Sequence, residues 1–395
     1  MGLFDTIQLA PADPILGLTE AFKADGRANK VNLGVGVYLD EQGRLPLMKA
    51  VSEAEERLAA ESASRGYLPI PGLASYQQAV QRLVFGAESA AVADGRVVTA
   101  QTLGGTGALK VGADFLRLRS PGSKVLVSDP SWENHAALFT RAGYEVGTYR
   151  YYTPGGVDFD GLIADLQAAE PGTVVVLHAC CHNPTGYDLD DQQWDRTIEV
   201  VSQRGLVAFL DMAYQGFARG LESDGRAVRR FAESGLEFLC STSFSKTFGL
   251  YGERIGSLNI VTSDADAAAR VMSQVKIVIR TNYSNPPTHG AALVSMVLGS
   301  QELRPVWDDE LASMRDRIKG LRVSLVRELQ GHQITDMDFI ADQQGMFSYS
   351  GLNPGQMEQL RDEFGIYGTR AGRMCVAALN ADNIGYVASS IASVR

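Results

Sequence analysis

Ser241-Thr242-Ser243-Phe244-Ser245-Lys246-Thr247-Phe248-Gly249-Leu250-Tyr251-Gly252-Glu253-Arg254-Ile255-Gly256 sets one lysine among small hydroxyl residues, with an arginine eight positions further on. A lysine amine forms a Schiff base with an aldehyde, and it becomes reactive in a low-polarity or cation-rich site. Ser243, Ser245 and Arg254 offer hydroxyl donors and a forked cation, the groups that hold a phosphate. An aldehyde-binding lysine beside a phosphate cup points to pyridoxal phosphate.

Outward from this stretch, residues 96–261 alternate apolar, β-rich runs with helical patterns. The runs fall at 96–101, 124–128, 173–178, 206–211, 237–242 and 255–261; helical patterns between them include 105–118, 131–142 and 190–203. This alternation predicts a mainly parallel sheet covered on both faces. Ligands of such sheets sit beyond the carboxyl ends of the strands, and the chemically distinctive residues cluster there. Gly104-Gly105-Thr106-Gly107 follows one strand and opens a helix, so its backbone N–H groups can meet an anion. Asp129-Pro130-Ser131-Trp132-Glu133-Asn134-His135 closes the next run, with Trp132 placed to stack on a flat ring. His178-Ala179-Cys180-Cys181-His182-Asn183-Pro184-Thr185-Gly186 follows another. Asp211-Met212-Ala213-Tyr214 ends a further one, and a carboxylate at the end of a buried strand is costly unless paired. A protonated pyridine nitrogen would pair with it.

The segment through Gly256, His182-Asn183-Pro184-Thr185-Gly186 and the order of the other motifs resemble the class I pyridoxal-phosphate aminotransferases, in the subgroup of aspartate and aromatic-amino-acid enzymes. The resemblance runs from about residue 13 to the end. It implies an α/β fold of type I: a large domain with a mainly parallel seven-stranded sheet and a smaller α/β domain. Domains are expected at 1–13 (an arm), 14–45 with 313–395 (small) and 46–312 (large). The resemblance makes Lys246 the covalent holder of pyridoxal phosphate and the proton carrier. It gives Asp211 the pyridine nitrogen, with His135 behind it, and gives Asn183 and Tyr214 the phenolate oxygen. Gly105, Thr106, Ser243, Ser245 and Arg254 would line the phosphate, and Trp132 the ring. Tyr67 would reach the phosphate of a neighbouring subunit, and Arg280 of that neighbour would bind a distal carboxylate. Arg373 would bind the α-carboxylate, with Gly36 touching substrate. The implied reaction exchanges an aromatic or acidic amino acid with 2-oxoglutarate, ping-pong through pyridoxamine phosphate, in a homodimer with shared sites. Tyr67-Leu68-Pro69, Trp132-Glu133-Asn134-His135 and Gly345-Met346-Phe347-Ser348-Tyr349 favour the bacterial aromatic enzymes. An aspartate aminotransferase with little aromatic activity is the alternative. A lyase or decarboxylase with the same cofactor would not need Arg280, and a non-enzymatic regulator would resemble a fusion with an N-terminal DNA-binding domain.

Composition sets further bounds. With 395 residues, 45% of them hydrophobic and 21% charged, two cores are expected. A net charge of −10 repels nucleic acid and anionic membrane. No run reaches the roughly 18 apolar residues of a membrane span, and no secretory signal is visible. Met1-Gly2-Leu3-Phe4-Asp5-Thr6 fits a myristoylation pattern only at its few fixed positions. Cys180, Cys181, Cys240 and Cys375 suit a reducing compartment, the cytoplasm. A metal is not expected, on the argument that adjacent Cys180 and Cys181 cannot face one ion. Pro11 and Pro14 should keep the arm extended, 15–22 and 46–61 should be helices, and 31–38 a strand broken by glycines. Residues 264–281 should form a helix ending near Arg280, and 301–330 a long helix interrupted at Pro305.

Overall fold

A computed structural model describes residues 2–10, 15–62, 64 and 66–395; the expectation for Pro11 and Pro14 lies outside the described residues. The chain divides into two compact units. One comprises residues 45–319 and 342–345; the other comprises 1–44, 320–341 and 346–395.

The first unit is built on a seven-stranded sheet. Its strands are β1 (Val97–Leu103), β2 (Lys124–Asp129), β3 (Glu145–Arg150), β4 (Val174–His178), β5 (Val207–Met212), β6 (Phe238–Ser243) and β7 (Ile255–Val261). They lie in the order β1-β7-β6-β5-β4-β2-β3. All pairings are parallel except those of β7, which runs antiparallel to both neighbours. The central strands are buried on both faces, as the unbroken run Val174-Val175-Val176-Leu177 requires. β3 has no such run because it is an edge strand with most of its residues in solvent, so no apolar signal marks it in the sequence. One sheet face packs Ala100, Val125, Val176, Phe209 and Leu258 against Ala108, Leu109 and Val111 of α1 (Gly104–Arg119) and against Val275 and Ile279 of α2 (Ala265–Asn282). Burying a side chain of this size contributes about 1.5–3 kcal/mol.

The long helix α3 (Leu303–Gly331) is continuous. Pro305 does not interrupt it, because it sits in the first turn, where a missing N–H breaks no helical hydrogen bond. In the second unit Val31–Asn32 pairs in parallel with Ile366–Tyr367, and Phe347–Tyr349 pairs antiparallel with Arg373–Cys375. Only the first two residues of the 31–38 run form a strand. Among the described residues no helix is long and apolar enough to cross a membrane.

Candidate active site

Sheet register gathers the first group. His178 is the last residue of β4 and lies opposite Asp211, which in turn lies opposite Ser241 of β6. The Asp211 carboxylate accepts from Ser241 Oγ at 2.7 Å and from His135 Nε2 at 3.0 Å. Burial pushes the Asp211 carboxyl up, but the hydrogen bond from His135 foremost, with that from Ser241, outweighs it and holds the group below the ordinary carboxylate range. The protons behind it can be assigned. The Asn183 backbone N–H donates to His178 Nδ1 (3.3 Å), so His178 carries its proton on Nε2 and donates to Ser131 Oγ (3.2 Å). Ser131 then donates to His135 Nδ1 (3.0 Å), leaving His135 Nε2–H for Asp211. Burial, reinforced by the neighbouring imidazoles, keeps His178 well below its usual pKa and therefore neutral. The relay is polarised in one direction, toward an ionised Asp211.

The second group is a cup at the N-terminus of α1. The helix has no side-chain cap, so its first N–H groups are open to an anion. Gly104 has φ +67°, and its N–H is spent on Arg254 O at 2.9 Å. Gly256 allows the close approach that builds the cup: a Cβ there would lie 2.5 Å from both Gly104 C and Thr242 O. Opposite the helix, Ser243 Oγ bonds Ser245 Oγ at 3.2 Å, and Arg254 Nη1 donates to Ser245 Oγ at 3.3 Å. A Cβ on Gly105 would meet Ser243 Cβ at 3.2 Å, which places the helix start directly against the serines. Thr106 follows in the same first turn.

Lys246 sits in the turn after β6, half-buried, with Nζ 4.9 Å over the Tyr214 ring. The turn is braced from α3: Trp307 Nε1 donates to Thr247 O at 2.7 Å, and its ring stacks on Phe248 at 4.5 Å. Asn183 and Tyr214 are buried on the loops that leave β4 and β5. Trp132 caps the helix Glu133–Arg141 and meets the His135 ring edge-on at 5.2 Å.

Four further expected residues have surroundings of their own. Gly36 and Arg373 belong to the other unit. There Arg373 Nη2 donates to Gly34 O at 2.8 Å, its guanidinium covers the Phe347 ring at 4.4 Å, and a Cβ on Gly36 would strike that ring at 2.6 Å. Tyr67 is 95% exposed, and Arg280, in the last turn of α2, is exposed and bonded to Ser284 Oγ. Sequence reasoning left Ser131, Ser241, His178 and Asp188 without roles; a histidine as the last residue of a buried strand was the available signal. Contrary to expectation, the adjacent Cys180 and Cys181 do turn their sulfurs toward one point. Both cysteines lie in the loop after β4, Cys181 has φ +51°, and both sulfurs lie within 4.8 Å of each other and of an Asp224 oxygen. Those groups are committed elsewhere: Asp224 accepts three backbone N–H groups, and burial pushes the Cys181 thiol well up.

A mainly parallel sheet with a lysine turn, an uncapped helix start facing serines and an arginine, and an ionised aspartate at its carboxyl edge defines a class of enzymes that hold a phosphorylated aromatic aldehyde. The chain belongs to the aminotransferases of class I and II, whose family model matches residues 28–391. It is 56% identical to an aspartate aminotransferase of Pseudomonas aeruginosa over the whole of both chains. It is 48% identical to the aromatic-amino-acid aminotransferase of Escherichia coli, covering 99% of this chain and all of that one. Among solved structures, the aromatic-amino-acid aminotransferase of Burkholderia pseudomallei, covalently bound to pyridoxal phosphate, superposes with a TM-score of 0.97 at 59% identity, covering both chains fully. The chain is an aminotransferase dependent on pyridoxal phosphate. The residues fit that group: an uncapped helix start with two hydroxyls and a guanidinium suits a phosphate dianion, and a carboxylate held ionised suits a pyridine N–H.

Proposed function

We propose that the chain transaminates aromatic and acidic L-amino acids, tyrosine, phenylalanine and aspartate, against 2-oxoglutarate in a ping-pong cycle. When bound, pyridoxal phosphate supplies the aldehyde that takes the amino group and the ring that accepts the electron pair left at the substrate α-carbon. Lys246 Nζ holds the cofactor covalently and, once displaced, carries the proton away from the substrate Cα. Asp211 keeps a proton on the ring nitrogen; the one-way relay from Asn183 N–H through His178, Ser131 and His135 supports this role. Asn183 and Tyr214 donate to the phenolate oxygen, and Trp132 stacks on the ring. Gly105, Thr106, Ser243, Ser245 and Arg254 hold the phosphate. Arg373 takes the substrate α-carboxylate bidentately, beside Gly36. The chain acts as a homodimer in the cytoplasm, each copy lending Tyr67 and Arg280 to the other's site; their exposure in the single chain supports this.

The observation that carries the substrate reading is full-length likeness to relatives of both names, aspartate and aromatic. The 56% likeness to an aspartate aminotransferase favours the second reading, an enzyme with little aromatic activity. The test is kcat/KM for aspartate and for phenylalanine with 2-oxoglutarate on one preparation. Comparable values are expected; a preference for aspartate of about three decades, roughly 4 kcal/mol, establishes the second reading. Lys246→Ala and Arg280→Ala chains, each inactive alone with aspartate, should recover turnover when mixed and allowed to form hybrids. No recovery would refute shared sites.

A further inference from the structure

Two aspartates beside the site pair with no cation: among the described residues neither Asp188 nor Asp224 makes an ion pair. Each instead collects backbone N–H groups from one loop. Asp188 Oδ2 accepts from Cys181 N and Oδ1 from His182 N, both at 2.8 Å. These are the two peptide groups immediately before Asn183. Asp224 Oδ2 accepts from Gly216 N at 2.8 Å and Ala218 N at 2.9 Å, and Oδ1 from Arg219 N at 2.9 Å. These begin two residues after Tyr214. The loops also touch each other, since the Cys181 thiol lies 3.7 Å from Tyr214 O. A carboxylate that binds several N–H groups at once fixes their orientation more tightly than single bonds do.

Keeping these carboxylates here is costly. Burial raises Asp224, which is 4% exposed, and pushes Asp188 up to about 6, although Asp188 retains some solvent contact; in both, the backbone N–H groups pull the other way. Arg219 near Asp188 and Arg315 near Asp224 lower the two groups by their charge without forming an ion pair, so the carboxylates are held chiefly by backbone N–H groups, which calls for a purpose beyond filling space.

We propose that Asp188 and Asp224 are a matched pair of positioning residues, one clamping the loop that presents Asn183 and the other the loop that presents Tyr214, so that both donors converge on one oxygen. This rests on the reading that Asn183 and Tyr214 serve the phenolate oxygen of the cofactor. Neither aspartate touches the cofactor; each acts through the peptide groups of its loop.

Asp188→Asn is nearly isosteric but turns an N–H donor toward one of two N–H donors, so one clamp bond is lost. Asp224→Asn does the same in the second loop. The experiment is a spectrophotometric pH titration of the bound cofactor in the holoenzyme, alongside kcat and KM, with Asn183→Ala and Tyr214→Phe as references and Asp191→Asn, an exposed ion-pair residue, as control. Asp188→Asn should move the chromophore's pKa by about half a pH unit or more in the direction set by Asn183→Ala. Asp224→Asn should follow Tyr214→Phe, and kcat should fall roughly tenfold with KM little changed. If the references move the pKa and the aspartate variants lose only thermal stability, the clamps are structural and the proposal is overturned. If the references themselves leave the pKa unmoved, the reading of Asn183 and Tyr214 fails, and the proposal falls with it. Should Asp224→Asn not fold, Asp224→Glu, which keeps the charge and displaces the oxygens by one methylene, is expected to give the same spectral shift.

Discussion

Ser241→Ala isolates one hydrogen bond to the central carboxylate. Ser241 Oγ is fully buried and donates to Asp211 Oδ1 at 2.7 Å, closer than its other neighbour, Leu210 O at 3.3 Å. The substitution removes one oxygen and creates almost no cavity, so the effect is electrostatic. A hydrogen bond to a charged group contributes about 1.5–3 kcal/mol, which corresponds to a rise of roughly 1–2 units in the Asp211 pKa. Asp211 lies below its ordinary value in the fold. Its stabilisation is therefore present above the unfolded-state pKa and is lost as pH falls through the folded-state value. Melting of the cofactor-free protein at pH 7 should drop by roughly 2–4 °C, taking about 2.1 cal/mol/K per residue for a chain of this length. The difference should shrink in strong acid. If Asp211 pairs with the ring nitrogen as proposed, a more basic Asp211 would compete for the ring proton in the holoenzyme, and kcat should fall. A variant within half a degree of the parent at pH 7, or a difference independent of pH, would refute a contribution of this bond, beside that of His135, to holding Asp211 ionised.

Other expectations follow from packing. Gly256→Ala sets a methyl 2.5 Å from two backbone atoms that cannot swing aside, Gly104 C and Thr242 O. It should cost about 1–3 kcal/mol and, on the proposed seating of the phosphate in this cup, weaken cofactor retention, read by melting and by the dissociation constant for pyridoxal phosphate. All four thiols are buried, and burial pushes Cys375 to about 11, with Cys181 and Cys240 well above the ordinary thiol range. Native protein at pH 8 should therefore react negligibly with an aromatic disulfide reagent, and unfolding should release four equivalents; fast reaction of one thiol in the native state would contradict the burial.

The stretch 241–256 reads directly because its chemistry is local: hydroxyls, lysine and arginine fall within sixteen residues, and the fold needs only a turn to gather them. The central strands read equally well, since burial on both faces demands continuous apolar runs such as Val174–Leu177. β3 did not, because an edge strand exposed to water needs no such run. Pro305 misled because a proline breaks a helix in its interior but not in its first turn, and the sequence does not show which of the two it occupies.

What the sequence determined by itself was the family, the α/β sheet and the residue types that could bind a phosphate, an aldehyde and a ring nitrogen. Only the tertiary structure decided which groups meet. Successive members of His178, Asp211 and Ser241 lie thirty or more residues apart and align because parallel strands share a register. The direction of the proton relay depends on one backbone N–H, that of Asn183, reaching His178 Nδ1. The clamps of Asp188 and Asp224 likewise depend on which peptide groups a loop turns inward. Hydrogen-bond direction and register are properties of distances between segments, and a linear order of residues carries no such distances.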